Sequence, residues 1–161
     1  MVTIRRGTEA DHEAAIAVYL AANELRRGAE TPQSHVERVR VSMQRPGAFL
    51  FIADDGGVCT GMTLAMQSRS DHGAGPPIPG VCHLGMVFVA PDRWGEGIGH
   101  ALLGAVLAEA AARDYHLVQL WTHANNTRAQ RLYEHRGFTR TGDEHDNDLG
   151  ELIVQYEIAV G

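Results

Sequence analysis

Residues 87–99 read Val-Phe-Val-Ala-Pro-Asp-Arg-Trp-Gly-Glu-Gly-Ile-Gly, an apolar run that stops at a proline, crosses a glycine-rich turn and becomes a helix. Together with Met86, the residues Val87, Phe88 and Val89 read as a buried strand that Pro91 ends. From Ile98 onward Leu102, Leu103, Val106 and Leu107 recur at helical spacing. Gly95, Gly97 and Gly99 leave the backbone bare around the first helical turn, where N–H groups lack an intrahelical acceptor and the positive end of the helix dipole lies. The amides of Gly95, Glu96, Gly97, Ile98, Gly99 and His100 therefore form an anion cradle. Its ligand should carry phosphate.

Upstream of this stretch, Val2 and Ile4 alternate with Thr3 and Arg5 in a short strand pattern, and Thr8 opens an acidic first turn leading into Ala14, Ala15, Ile16, Val18, Tyr19 and Leu20. That pattern predicts an amphipathic helix. A loop over 28–33 precedes a second helix through Val36, Val39, Val41 and Met43, for which Ser34 is the expected cap and Pro46-Gly47 the stop. Residues 49–53 and 58–66 read as strands joined by Asp54-Asp55-Gly56-Gly57, a hairpin signal. A longer Gly/Pro-rich turn over 69–80 leads to the strand ending at Val89. Downstream of the central helix lie a strand over 117–122, a short helix introduced by Asn125 or Asn126 and closed by Gly137, and a last strand pair over 138–141 and 152–158 around a loop from Gly142 to Gly150. The predicted order is strand, two helices, three antiparallel strands, helix, strand, helix, two strands, in one domain spanning residues 1–161.

Composition excludes several classes. A chain of 161 residues suits one core. No apolar run approaches the ~20 residues of a membrane span, and the first residues do not read as a signal peptide, so a cytoplasmic protein without membrane contact is expected. All 14 basic residues are arginine. Without lysine, a Walker-type phosphate loop and Schiff-base chemistry are ruled out. Fourteen acids balance the arginines over residues 1–140, so the net charge of −6 resides in the six acids of residues 141–161. This is no basic footprint for nucleic acid. Cys59 and Cys82 are too few for a disulfide framework and should be reduced, and no HExxH or clustered ligand spacing points to a metal.

A dinucleotide fingerprint fails here. Counted from Gly95 and Gly97 its last glycine falls on His100, and counted from Gly97 and Gly99 it falls on Leu102. What remains is Gly-x-Gly-x-Gly after a Val-x-Pro strand end, followed by Asn126-x-x-Ala129-x-x-Leu132-Tyr133-Glu134-x-x-Gly137-Phe138. Together these resemble the GNAT superfamily of acyl-CoA-dependent N-acetyltransferases over nearly the whole chain. The resemblance implies an α/β (α+β) fold with a mixed, mostly antiparallel twisted sheet of about seven strands flanked by about four helices.

The resemblance also implies functional residues. The family's pyrophosphate loop, Gln/Arg-x-x-Gly-x-Gly/Ala, lies over residues 94–99, where Gly97 and Gly99 match and Trp94 replaces the expected polar residue. Val87, Phe88 and Val89 would pair their backbone with the pantetheine arm of acetyl-CoA, and Asn126 would touch the same arm. The implied reaction is direct attack of a neutral amine on the thioester, with the oxyanion held by a backbone N–H near Val87. Tyr133 stands where the family commonly places the general acid; the alternative is a core tyrosine spaced from Ala129. His83 occupies the place of a strand carboxylate that serves as general base in part of the family, and His123 is the second candidate. The expected acceptor is a primary amine, either a cationic small molecule or a peptide N-terminus, and a homodimer is compatible with the resemblance. A non-catalytic acyl-CoA-binding or interaction module of the same fold is the competing expectation.

Overall fold

The computed structural model describes residues 1–161. Its strands are β1 (Val2–Arg6), β2 (Phe49–Asp55), β3 (Val58–Arg69), β4 (Pro77–Val89), β5 (Leu117–His123), β6 (Thr139–Asp146) and β7 (Leu152–Ala159). Its helices are α1 (His12–Arg27), α2 (Gln33–Met43), α3 (Ile98–Ala112) and α4 (Thr127–Arg136). The fold is mixed α/β, with the strands hydrogen-bonded in the order β1-β2-β3-β4-β5-β7-β6. The element order is the one the residue pattern predicts. Two compact units divide the chain, Met1–Met66 with Met86–Val106, and Gln67–Gly85 with Leu107–Gly161.

In the first unit β1 and β3 flank β2, both antiparallel to it. Asp54 Oδ1 accepts the Gly57 N–H at 2.7 Å, and Gly56 and Gly57 take φ values of +60° and +93°. Only residues tolerant of the left-handed region close a two-residue hairpin in this way. Thr8 N–H donates to Asp11 Oδ2 at 2.8 Å, which fixes the 3-10 turn leading into α1. Arg5 donates to both Asp11 oxygens and to Asp54; its guanidinium, with help from the Thr8 N–H, holds the Asp11 carboxyl well below the usual carboxylate range.

Ile16, Val36, Met43, Leu50, Ile52 and Met62 are among the residues of one apolar core, with Met86 and Phe88 of β4 packed against it. Two details of α2 differ from expectation. It begins at Gln33 after Pro32, whose carbonyl accepts from His35 N at 2.9 Å, so Ser34 lies inside the first turn and is not the cap. Val41 is exposed, because the 3.6-residue period carries position 41 off the face that buries Val36 and Met43.

In the second unit β4 runs parallel to β5, with Val81 to Leu84 opposite Leu117 to Leu120. β7 pairs antiparallel with β5 along its full length and with β6 on its other side. Val118, Leu120, Val154 and Tyr156 are buried. The turn before β4 is shorter than predicted: β3 runs to Arg69 and β4 starts at Pro77, tied by Ser70 N–H to Pro76 O at 3.0 Å. The final hairpin also differs. β6 reaches Asp146, so Asp143, Glu144 and Asp146 are strand residues and not loop.

Candidate functional site

The loop expected to cradle an anion, residues 95–100, lies in the first unit, and its shape follows from a strand end tied to a helix start. Thr63 Oγ1 donates to Met86 O at 2.8 Å, and Phe88 meets Tyr19 edge-on with ring centroids 5.1 Å apart, so the β4 terminus is held by a side-chain hydrogen bond and by the core. Ala90 N–H donates to Thr60 O at 2.9 Å. Pro91 then starts a 3-10 turn over Pro91–Arg93. Gly95 and Gly97 follow with φ values of +86° and +82°, conformations that L side chains rarely adopt. Gly99 is helical, inside the first turn of α3.

The first amide that turns back into α3 from a loop carbonyl is Ala101 N–H, to Gly97 O at 3.1 Å. The N–H groups of Ile98, Gly99 and His100 thus precede the helical ladder, as the opening donors of any helix do. A Cβ built on Gly95 or Gly97 would meet nothing within 4 Å. The backbone there is open to a ligand, which is what a pyrophosphate requires.

Charged side chains brace this loop. Arg93 Nε lies 3.0 Å from both Glu96 carboxylate oxygens, and Arg93 Nη1 lies 3.0 Å from Asp55. Glu96 therefore offers the cradle its backbone while its side chain is paired with Arg93. The indole N–H of Trp94, at the position where a polar residue was expected, donates to Val89 O at 2.9 Å, so Trp94 stitches the loop back to the strand.

Gly61 is a contributor that motif reading missed. A Cβ on it would sit 2.9 Å from Ile98 Cγ2, 3.0 Å from Leu102 Cδ1 and 3.2 Å from Phe88 O. The absent side chain lets the first turn of α3 seat directly on β3. In the sequence it is a lone strand glycine, a signal of close backbone approach that does not say what approaches.

The second unit holds Asn126, Tyr133, His83 and His123, the other residues singled out from the sequence. Asn126 caps α4, its Oδ1 accepting from Ala129 N–H at 3.2 Å, as a cap should. The carbonyl oxygen is thereby committed to the helix, leaving the side-chain amide N–H groups for a ligand. Tyr133 is buried on α4. Its ring lies 5.8 Å from Phe138 and 6.2 Å from Tyr156, and burial alone pushes its phenol far above the ordinary value. The phenol accordingly stays protonated throughout the neutral range. Gly137, at φ +106°, ends the helix, and Phe138 N–H returns to Tyr133 O at 3.0 Å.

His83 is half-buried on β4, level with Gln119 of β5, whose side-chain amide donates to Glu157 at 2.9 Å. His123 ends β5, its Nε2 3.2 Å from Glu151 Oε1. The sequence offers Glu151 only as one of the acids between the last two strands, not as a partner of His123. Twenty-seven residues, including α4 and β6, separate the two, so no local spacing announces them, and it is the β5–β7 register, with His123 opposite Ile153, that brings them together. Trp121, His145 and His72 form a further ring cluster, with His145 4.5 Å from Trp121 and 4.0 Å from His72. Burial, and then the neighbouring His72, lower the His145 pKa.

Comparison with known proteins agrees with this architecture. Residues 19–138 match the model of the Acetyltransferase (GNAT) family, and the chain belongs to that family. It is similar to the mycothiol acetyltransferase of Pseudarthrobacter chlorophenolicus, 34% identical over 132 residues that cover 81% of this chain and 40% of that protein. The counterpart from Thermobispora bispora is 38% identical over 95 residues, covering 59% of this chain and 31% of the relative. The chain thus spans less than half the length of these curated relatives. Among solved structures, the ribosomal-protein-S18-alanine N-acetyltransferase of Escherichia coli superposes with a TM-score of 0.77 at 20% identity, covering 100% of this chain and 95% of that one. The yncA protein of Salmonella typhimurium, solved with its cofactor acetyl-CoA, gives 0.75 at 20% identity over the same shares of the two chains. These two likenesses establish the fold. No helix of the chain is long and apolar enough to cross a membrane.

Proposed function

We propose that this chain transfers an acetyl group from acetyl-CoA to a primary amine, as one acetyltransferase domain spanning residues 1–161. The observation that carries the reading is the cradle. The open backbone at Gly95 and Gly97 and the place of residues 98–100 in the first turn of α3 are suited to a pyrophosphate. Val87, Phe88 and Val89 lead into that cradle, and in this reading their backbone pairs with pantetheine while the amide of Asn126 meets the same arm.

The neutral amine attacks the thioester carbonyl carbon, and an N–H near Val87 receives the oxyanion. As the C–S bond breaks, Tyr133 gives its proton to the departing thiolate, and the proton leaving the new amide nitrogen restores the phenol. A histidine, His83 or His123, takes the earlier proton that converts ammonium to amine. No covalent enzyme intermediate and no metal enter the scheme.

The acceptor side is read from charge. Asp143, Glu144, Asp146 and Asp148 are exposed on β6 and the turn that follows, and such a surface concentrates cationic amines by long-range attraction. Two classes of acceptor fit: a small cationic amine and a positively charged peptide N-terminus. A cytoplasmic setting and a homodimer belong to the same proposal. CoA release measured with polyamines, amino sugars and peptides beginning with alanine tests the reading. Turnover with one class names the acceptor, whereas tight acetyl-CoA binding without consumption above hydrolysis by any amine would favour the non-catalytic acyl-CoA-binding module.

A further inference from the structure

We propose that His123 is the group that accepts the proton from the acceptor ammonium, and that Glu151 is the positioning residue that holds its imidazole for the task. This rests on the acetyl-transfer reading above and names its missing base. His123 is the last residue of β5, three residues beyond the final β4–β5 rung at Leu84 and Leu120. Ligands in parallel sheets gather outside the carboxyl ends of the strands. His83 sits one rung before that end, inside the paired ladder and opposite Gln119.

The surroundings of His123 hold it from three sides. Gln130 of α4 donates through Nε2 to both His123 O and Ala124 O at 2.9 Å, fixing the strand end. Asn126 N–H donates to His123 O at 3.0 Å. The ring then meets Glu151 Oε1 at 3.2 Å, with both side chains partly shielded, 24% and 31% exposed.

Glu151 is itself held by a turn built around Asn147. Asn147 Nδ2 donates to Glu151 Oε1 at 3.2 Å, and Asn147 Oδ1 accepts from Glu151 N–H at 2.9 Å and Leu149 N–H at 3.0 Å. Asn147 N–H closes the turn on Glu151 O at 2.8 Å. A carboxylate presented in this way fixes an imidazole's tautomer and favours its protonated form.

On the same sheet face stand His83 and Glu157, both level with Gln119 of β5, and His145, level with Ile153 and engaged with Trp121 and His72. Gln130, through which α4 holds the end of β5, is uncharged. In the step itself the ammonium N–H bond breaks, the proton moves to His123, and the freed lone pair forms the N–C bond. His123 afterwards releases the proton to solvent, matching the one proton that the overall reaction yields.

The test has two arms. NMR titration of the His123 ring in the parent and in Glu151→Gln needs no turnover, and loss of the carboxylate should lower the ring's pKa by about one unit. In the active enzyme, the acid limb of kcat/KM should move by the same amount in Glu151→Gln and return toward the parent in Glu151→Asp. His123→Gln should lose about 10²-fold or more in turnover while acetyl-CoA affinity holds. A His123 titration unmoved by Glu151→Gln overturns the pairing, and so does an acid limb that follows His83→Gln instead. If His123→Gln fails to fold, the agreement or disagreement between the Glu151→Gln limb and its NMR shift decides. A parent that binds acetyl-CoA but acetylates no amine overturns the acetyl-transfer reading itself, an outcome distinct from failure of the dyad in an active enzyme.

Discussion

Replacing Tyr133 by phenylalanine keeps the ring between Phe138 and Tyr156 and removes only the hydroxyl. If that phenol protonates the thiolate, turnover should fall on the order of 10²–10⁴-fold with acetyl-CoA affinity barely changed. Stopped-flow or steady-state kinetics with chemistry rate-limiting would return Tyr133 to a packing role if the loss stayed under threefold. Gly97→Val is the complementary change on the cofactor side. The space above Gly97 is open, so the cost comes from a positive φ and from a side chain occupying the pyrophosphate approach. Calorimetry on the folded variant should show acetyl-CoA affinity falling steeply, and unchanged affinity would mean the cradle lies elsewhere. At this scale the sequence was most informative where a residue's conformation is its function. Gly95, Gly97 and a cap at Asn125 or Asn126 were legible because local backbone geometry demands those types, whereas the pairing of Glu151 with His123 became visible only through a register that joins distant residues.

Seating of α3 on β3 depends on Gly61. Alanine at that position would press on Ile98, Leu102 and the Phe88 carbonyl, where the first two turns of α3 and the end of β4 meet β3. Overpacking of this kind costs about 1–3 kcal/mol, so thermal unfolding of Gly61→Ala should shift downward. Because the displaced element carries the cradle, acetyl-CoA affinity should weaken in parallel, and a destabilised variant with parent affinity would uncouple packing from binding. Most elements were readable from period and punctuation: the Asp54–Gly57 hairpin, the Pro91 stop and the Gly137 cap. β6 was not read beyond residue 141. As the last strand of the sheet order it is exposed along most of its length, and Asp143-Glu144-His145-Asp146 carries no apolar alternation to announce a strand. Ser34 misled for a related reason, since a helix can begin on a proline carbonyl two residues earlier, without any side-chain cap.

The charge of the whole molecule has one source, the six acids after residue 140, and the fold sorts them into two roles. Glu151 is turned toward His123, while Asp146 and Asp148 remain exposed. If the exposed pair attracts a cationic acceptor, Asp146→Asn with Asp148→Asn should raise the acceptor KM and flatten its dependence on salt, whose screening length is about 8 Å at physiological strength. Acetyl-CoA affinity should be unaltered, and identical kinetics at low salt would remove these carboxylates from recognition. The acceptor's identity was illegible in the sequence because acceptor contacts sit on loops and strand ends that carry no shared motif, unlike the cradle, whose backbone chemistry is the same for every acyl-CoA. The most direct measurement is transfer of an isotopically labelled acetyl group from acetyl-CoA to a cationic amine, followed by mass spectrometry together with CoA thiol release. The account predicts one labelled N-acetyl product for each thiol released, with no acyl group left on the protein. Label retained on the enzyme, or thiol released without acetylated amine, would contradict it.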